Sequence, residues 1–226
     1  IRESKGHYIA ILDSDDLSHK RRLELQVNFL NANSEIGILG SRYQCFGASS
    51  GRVRKYTNNE HLKAYLLFGS CFGHSTVMFR KYLVEDMNEP YSSNLFFAED
   101  YDLFVRLATR TKFALLEDYL VKYRIHSKSI TFNDSGKKYY GEIKVLESVF
   151  EKFFGLKNKT LTEDFRNRGE LDFQQLVIVT QRILSALNEN APFSKKSLNK
   201  VYFDNWLHIY CVNRKIKETL PRLKSR

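Results

Sequence analysis

Four short groups of residues have the types and spacing that chemistry needs. Asp13, Asp15 and Asp16 stand together in Asp13-Ser14-Asp15-Asp16. Carboxylates this close repel one another unless a cation or a basic partner neutralises them. A hard divalent ion such as Mg²⁺ or Mn²⁺ takes oxygen ligands of this kind, usually one or two carboxylates completed by substrate phosphates. Glu99 and Asp100, within Ala98-Glu99-Asp100-Tyr101-Asp102, are carboxylates ionised at neutral pH, able to take a proton from an attacking hydroxyl. His126, two residues after Arg124, offers a second metal ligand or, with that arginine, a phosphate contact. His74, in Gly73-His74-Ser75-Thr76, offers a further polar contact.

Each group also has a structural explanation. The acidic turn could be a solvated loop capping the next helix, and acids in a first helical turn complement the helix dipole. A lone histidine is more often structural than a ligand. The elements that position these residues therefore carry weight. Residues 7–12 form a short, mostly apolar run read as a buried strand, and the acidic turn follows its C-terminal end, where open α/β sheets place ligands. Ser18 can cap the next helix, with Leu23, Val27 and Leu30 on one face. Residues 38–46 read as a second strand, 49–56 as a hairpin or loop, and 59–68 as a helix. Alternation over 73–80 suits a strand. Residues 99–108 suit a helix with Leu103, Phe104 and Leu107 inward, and two strands follow near 112–116 and 119–125. Strands alternating with helices predict an α/β layer architecture.

From about Gly136 the periodicity becomes helical throughout: Ile143, Leu146, Val149, Phe150 and Phe153, then Phe173 to Leu187, then Leu198, Val201, Tyr202, Trp206 and Ile209. The expected organisation is an α/β unit over 1–134 and a helical lobe over 135–226.

A hydrophobic share of 42% with only three prolines excludes a linker-dominated chain. No apolar run reaches the roughly 18–20 residues that cross a bilayer. Cys45, Cys71 and Cys211 are odd in number and lack metal-ligand spacing, which predicts reduced, inert thiols in a cytoplasmic setting. The net charge of +10 suits anionic partners without choosing among them. Lys195, Lys196, Lys200, Arg214, Lys215, Lys217, Arg222, Lys224 and Arg226 make the C-terminal stretch basic. That is either a solvated face or a peripheral contact with the anionic inner face of the cytoplasmic membrane. No helix-turn-helix, zinc or RNA-binding signature supports a nucleic-acid partner.

Taken in order, four segments resemble the family-2, GT-A type inverting glycosyltransferases of bacterial surface-polysaccharide and lipopolysaccharide synthesis. They are Lys5-Gly6-x-Tyr8-Ile9-Ala10-x-Leu12-Asp13-Ser14-Asp15-Asp16, then Gly73 to Lys81. Ala98 to Leu107 and Tyr123-Arg124-x-His126-x-x-Ser129-Ile130 follow. The resemblance covers residues 1–131 and leaves the helical remainder outside it. It implies a partial GT-A domain, Rossmann-like with a mostly parallel sheet, acting on a nucleoside-diphosphate sugar, UDP-linked by family habit, with Mn²⁺ or Mg²⁺.

By the same resemblance, Asp13 and Asp15 look like the Asp-x-Asp motif. Asp13 would lie near the ribose, Asp15 would contact the metal, and Asp16 would support or share that metal. Asp100 looks like the catalytic base, with Glu99 as the fallback. His126 resembles a late histidine that completes the metal shell, Arg124 would assist the diphosphate, and His74 would lie near a glycan or lipid-linked acceptor. Family members open with a strand–helix–strand region that holds the nucleotide base, ahead of the Asp-x-Asp strand. Ile1 enters just before that strand, so the chain is expected to be a fragment, inactive alone. Competing readings are another metal-dependent nucleotide-processing enzyme and a non-catalytic recruitment module.

Overall fold

A computed structural model describes residues 1–95, 97–126, 135–157, 159–166, 173–187, 189 and 191–213. The strands are β1 (Tyr8–Ala10), β2 (Leu17–Ser18), β3 (Ile36–Gly47), β4 (Gly51–Val53), β5 (Met78–Arg80) and β6 (Lys112–Ile125). Seven α-helices lie among the described residues: α1 (Arg22–Ala32), α2 (Asn59–Tyr65), α3 (Glu99–Leu107), α4 (Ser135–Phe154), α5 (Lys159–Arg166), α6 (Phe173–Ser185) and α7 (Lys195–Asn213). The strand order is β1-β5-β3-β6-β2, with β4 paired to β3.

The long β3 and β6 run parallel, joined by the crossover that carries α2 and α3. The other pairings, β1/β5, β2/β6, β3/β4 and β3/β5, are antiparallel. The sheet is thus mixed where a mostly parallel one is expected, because two- and three-residue strands fill in around the one long parallel pair. Residues 112–125, expected as two strands, form one continuous strand. The irregularity expected between them appears as a register shift opposite Ser41, Arg42 and Tyr43.

Residues 73–80 split into a 3₁₀ turn, His74–Thr76, and β5. Ser18 does not cap α1: it lies in β2 opposite Val121, and the helix starts at Arg22 with Arg21 as its uncapped N-terminal neighbour. The expected inward residue Leu23 is 56% exposed, and the buried face of α1 is Arg22, Gln26 and Leu30. Residues four apart share a helix face, so a polar pair holds two of those three inward positions. The Arg22 guanidinium donates from Nη2 to Ile11 O at 2.7 Å and Val77 O at 3.2 Å, and from Nε to Gln26 Oε1 at 2.9 Å. Gln26 Nε2 then donates to Thr76 O at 2.8 Å. A buried polar group is tolerated when its hydrogen bonds are made. Here they clamp the chain entering the acidic turn to the chain leaving the His74 turn.

One buried cluster runs from Ile9 and Phe79 through Leu103, Phe104 and Phe113 to Val149, Phe153, Phe165, Leu198 and Tyr202. The helical segment thus shares its core with the sheet. Tyr56 Oη donates to Asp204 Oδ2 at 2.7 Å, and Ser194 N donates to Glu60 Oε2 at 2.6 Å, fixing α7 beside α2. Among the described residues no helix is long and apolar enough to cross a membrane. Cys45 and Cys71 are free thiols, and burial pushes the Cys71 thiol up to about 12. The side chains of Leu176, Trp206, Ile209 and Cys211, and residues 129, 130 and 214–226 with the basic tail, lie outside the described residues.

Candidate active site

Chain segments far apart in sequence converge on a cavity of about 810 Å³. The turn after β1 supplies Asp13 and Asp15, the 3₁₀ turn supplies His74 and Ser75, α3 supplies Glu99 and Asp100, and the end of β6 supplies Tyr123 and His126. The Asp13 to Asp16 turn closes with Asp16 N donating to Asp13 O at 3.1 Å. Ser75 Oγ accepts from Asp13 N at 3.1 Å, which joins the two turns.

Within the cavity the groups pair off. His126 Nε2 lies 3.0 Å from Asp15 Oδ2. His74 Nδ1 lies 3.3 Å from Asp13 Oδ1, and its Nε2 is 3.1 Å from Tyr91 Oη. Burial draws the His74 pKa down, but the Asp13 bond and the charges of Asp100, Asp13 and Glu99 outweigh it and hold it above its ordinary value. The His74 bond also leads the causes that hold the Asp13 carboxyl below the usual range.

Asp100 sits at the N-terminal end of α3. Burial raises its pKa against the lowering effects of the His74 charge, the Tyr101 N–H and Ser70. Its Oδ1 accepts from Tyr101 N at 2.7 Å, and its Oδ2 faces Ser70 Oγ at 3.4 Å. Beside it, Glu99 Oε2 is buried without a hydrogen-bond partner among the described residues. Phe97, two residues before Glu99, lines the cavity with φ 65°, a left-handed conformation that bulky residues seldom adopt. Strain of that kind persists where surrounding structure imposes it, commonly at sites.

Two expected site residues stand outside the cavity wall. Asp16, 6% exposed, accepts the Arg124 backbone N–H on Oδ1 at 2.8 Å, and burial raises its pKa. The Arg124 side chain donates from Nε to Asp15 O at 2.9 Å and lies over the Phe46 ring at 4.5 Å. Both residues therefore brace the acidic turn against β6. The reason is topological: β2 pairs with β6, so the turn just before β2 lies alongside the strand's C-terminal end.

Several lining residues escape sequence reading. Tyr43 packs against Tyr123 with ring centroids 5.8 Å apart, and burial pushes its phenol up to about 12. Ser70 and Glu142 carry no motif, and Glu142 comes from α4, in the helical segment.

Asp15 and His126 are the side chains that could hold a divalent ion. Two ligands about 2.1 Å from one octahedral cation and at right angles lie about 3 Å apart. Asp15 Oδ2 and His126 Nε2 have that spacing. No group of three such side chains converges among the described residues.

Sheet, acidic turn and site-bearing helix together make this an α/β protein of the GT-A type. The crystal structure of S. aureus TarS 1-349 has a similar fold, with a TM-score of 0.53 at 14% identity over 95% of this chain and 68% of that one. More particularly, residues 1–93 match the family model described as Glycosyl transferase family 2. The O-antigen biosynthesis glycosyltransferase WbnJ of Escherichia coli is 31% identical over 134 residues, 57% of this chain and 52% of that protein. An uncharacterized glycosyltransferase of Methanocaldococcus jannaschii is 30% identical over 131 residues, 55% of this chain and 44% of that protein. This chain thus spans about half the length of these two relatives. Likeness to an uncharacterized glycosyltransferase of Rickettsia conorii, 28% identical, covers 96% of this chain and 35% of that protein. It therefore extends through the helical segment, beyond the residues 1–131 that carry the motif resemblance.

Proposed function

We propose that the protein transfers a sugar from a nucleoside-diphosphate sugar, UDP-linked by family habit, to a hydroxyl of a glycan or lipid-linked acceptor, with inversion, in cell-surface polysaccharide synthesis. The observation that carries this reading is that the Asp15–His126 pair and the buried Asp100 carboxylate line one cavity.

Asp13 and Asp15 would meet the nucleotide sugar from the acidic turn, with Arg124 holding that turn in place through Asp15 O. A divalent ion bound between Asp15 and His126, Mn²⁺ or Mg²⁺, would neutralise charge on the departing diphosphate. Asp100 takes the proton of the acceptor hydroxyl as that oxygen bonds to the anomeric carbon and the bond to the diphosphate oxygen breaks. A pKa raised by burial makes a carboxylate a stronger base for this step. Glu99, one residue away, stands as the alternative base. His74, hydrogen-bonded to Tyr91 and Asp13, would help to position the acceptor.

The exposed Lys195, Lys196 and Lys200 of α7 suit a peripheral approach to an anionic membrane carrying the lipid-linked acceptor. The relatives are longer than this chain, so the assay uses the full gene product and a panel of sugar nucleotides with a cell-envelope glycolipid extract. Release of nucleoside diphosphate that needs Mn²⁺, acceptor, Asp15 and Asp100 is expected. Release that survives Asp100→Asn and Glu99→Gln and ignores acceptor would instead identify a nucleotide hydrolase.

A further inference from the structure

Lysines in connecting segments are usually solvated, and Lys55 lies between β4 and α2. Its ammonium group is instead turned inward. Nζ donates to Ser70 O at 2.6 Å and stands over the Tyr65 ring, 5.2 Å from the centroid. The carbonyl it holds belongs to an irregular stretch, residues 69–73, that is neither helix nor strand. Gly69 opens that stretch at φ +143°, and Ser70, Phe72 and Gly73 go on to line the cavity. Lys55 itself is not on the cavity wall. Backbone without ladder partners takes its position from the side-chain bonds it makes, and Lys55 supplies one. Ser70 carries that position to α3. Its Oγ donates to Phe72 O at 3.0 Å and lies 3.4 Å from Asp100 Oδ2, while Tyr101 N holds Asp100 Oδ1. Lys55 and Asp100 also interact as charges: burial draws the Lys55 pKa down, and Cys71 and Asp100 pull it back up. Among the described residues, Asp100 further meets His74 from the 3₁₀ turn, Cys71, Tyr91 and, on its own helix, Glu99. Glu142 of α4 lines the same cavity.

We propose that Lys55 is a positioning residue for glycosyl transfer: from behind the cavity wall it fixes Ser70, and through Ser70 the Oδ2 oxygen of Asp100, and it sets a positive charge behind that carboxylate. The proposal deepens the reading of Asp100 as the base and rests on it. A general base must point a lone pair at the hydroxyl it deprotonates, and a displacement of about 1 Å can cost about 10²-fold in rate. A nearby cation also favours the ionised carboxylate, the form that can take the proton. Side chains held by a second layer of hydrogen bonds keep such a geometry better than side chains on a free loop.

Lys55→Met keeps most of the stem and removes the ammonium group, and Lys55→Arg keeps a donor and the charge. Carbon-13 NMR of labelled aspartate on the purified protein, assigned with Asp100→Asn, reads the Asp100 titration without any turnover. In Lys55→Met its midpoint should rise by at least about half a pH unit. In the transfer assay kcat should fall about tenfold, with both KM values little changed and the acid limb of kcat moved to higher pH. Lys55→Arg should restore most of the midpoint and part of kcat. A merely structural lysine would lower the melting temperature and leave the Asp100 midpoint where it was, and that result would overturn the proposal. If Lys55→Met does not fold, Ser70→Ala decides, because it keeps the carbonyl that Lys55 holds and removes Oγ. A lower kcat at unchanged KM in Ser70→Ala would support the link through Ser70, and an unchanged kcat would overturn it. A shifted Asp100 midpoint in Lys55→Met, beside transfer that survives Asp100→Asn, would keep Lys55 as the partner of Asp100 and remove the base reading instead.

Discussion

His126 Nε2 and Asp15 Oδ2 lie 3.0 Å apart although 111 positions separate them in sequence. The contact exists because the acidic turn after β1 is strapped to the end of β6 twice, by Arg124 N to Asp16 and by Arg124 Nε to Asp15 O. On the proposed reading, a pair of donors held this way would be preorganised for a cation.

Removing either donor should weaken metal binding. His126→Ala and Asp15→Asn are each expected to raise the Mn²⁺ dissociation constant about 10- to 100-fold, the range seen when a site's organisation is lost. Titration followed by electron paramagnetic resonance reads this without any turnover. Asp16→Asn should change Mn²⁺ affinity far less, since its Oδ1 is committed to the Arg124 N–H. An Asp16→Asn loss equal to that of Asp15→Asn would restore Asp16 to the metal shell.

Asp100→Asn should abolish transfer and stabilise the fold at neutral pH. Burial raises the Asp100 pKa, so folding favours its protonated form. Between the unfolded value of 3.8 and the raised folded value, the native state binds more protons than the unfolded chain, and stability falls as pH rises. Asparagine keeps the shape and removes that charge. The expected outcome is kcat lower by about 10²–10⁴ with a higher melting temperature than wild type at pH 7. In the wild type, the acid limb of kcat should lie above the usual carboxylate range.

The His74–Asp13 pair should make stability depend on pH in a definite direction. The folded His74 pKa is raised, so its contribution is fully present below 6.5 and lost as pH rises through the folded value. The Asp13 pKa is lowered, so its contribution is present above 3.8 and lost as pH falls through its folded value. With side chains 30% and 44% exposed, solvent screening keeps the effect at about 1 kcal/mol or less. Melting temperatures from pH 5 to 9 should show the gap between wild type and His74→Gln closing on the alkaline side.

Arg22→Met should destabilise by about 2–4 kcal/mol, because Ile11 O and Gln26 Oε1 would lose a buried donor. Burial without a carboxylate has already lowered the Arg22 pKa to about 10, so methionine recovers part of a desolvation cost. The apolar stem also remains packed. Urea unfolding reads the difference, and a change below about 0.5 kcal/mol would show that the clamp contributes little net stability.

Gly47→Ala should disturb the metal pair from a distance. Gly47 has φ +98°, and an added Cβ would come within 2.5 Å of Ile125 O, the residue before His126. The expected cost is about 1–3 kcal/mol in stability, together with weaker Mn²⁺ binding as the Ile125–His126 backbone shifts. Unchanged affinity would mean that His126 is positioned independently of β3.

The residue order alone determines the alternation of strands and helices, the switch to all-helical periodicity near Gly136, and the acidic turn after the first strand. Those features are local: apolar period and turn chemistry act over a few residues. The structure brings Asp13, Asp15, Glu99, Asp100, His126 and His74 into one cavity, which is how separate motifs become a site.

Tertiary structure decides the rest. Arg22 and Gln26 look like surface residues on a helix whose visible stripe is Leu23, Val27 and Leu30, yet carbonyls of residues 11, 39, 76 and 77 draw them inward. Arg124 and Asp16 read as ligand-binding groups, yet their partners are each other's neighbourhood, because strand pairing sets β2 beside β6. Glu142 carries no signal at all. Its place in the cavity follows from how α4 docks on α3, which depends on side-chain complementarity across distant segments. Local pattern fixes what each segment can be. Which of its polar groups reach solvent, backbone or substrate is set only when the segments pack.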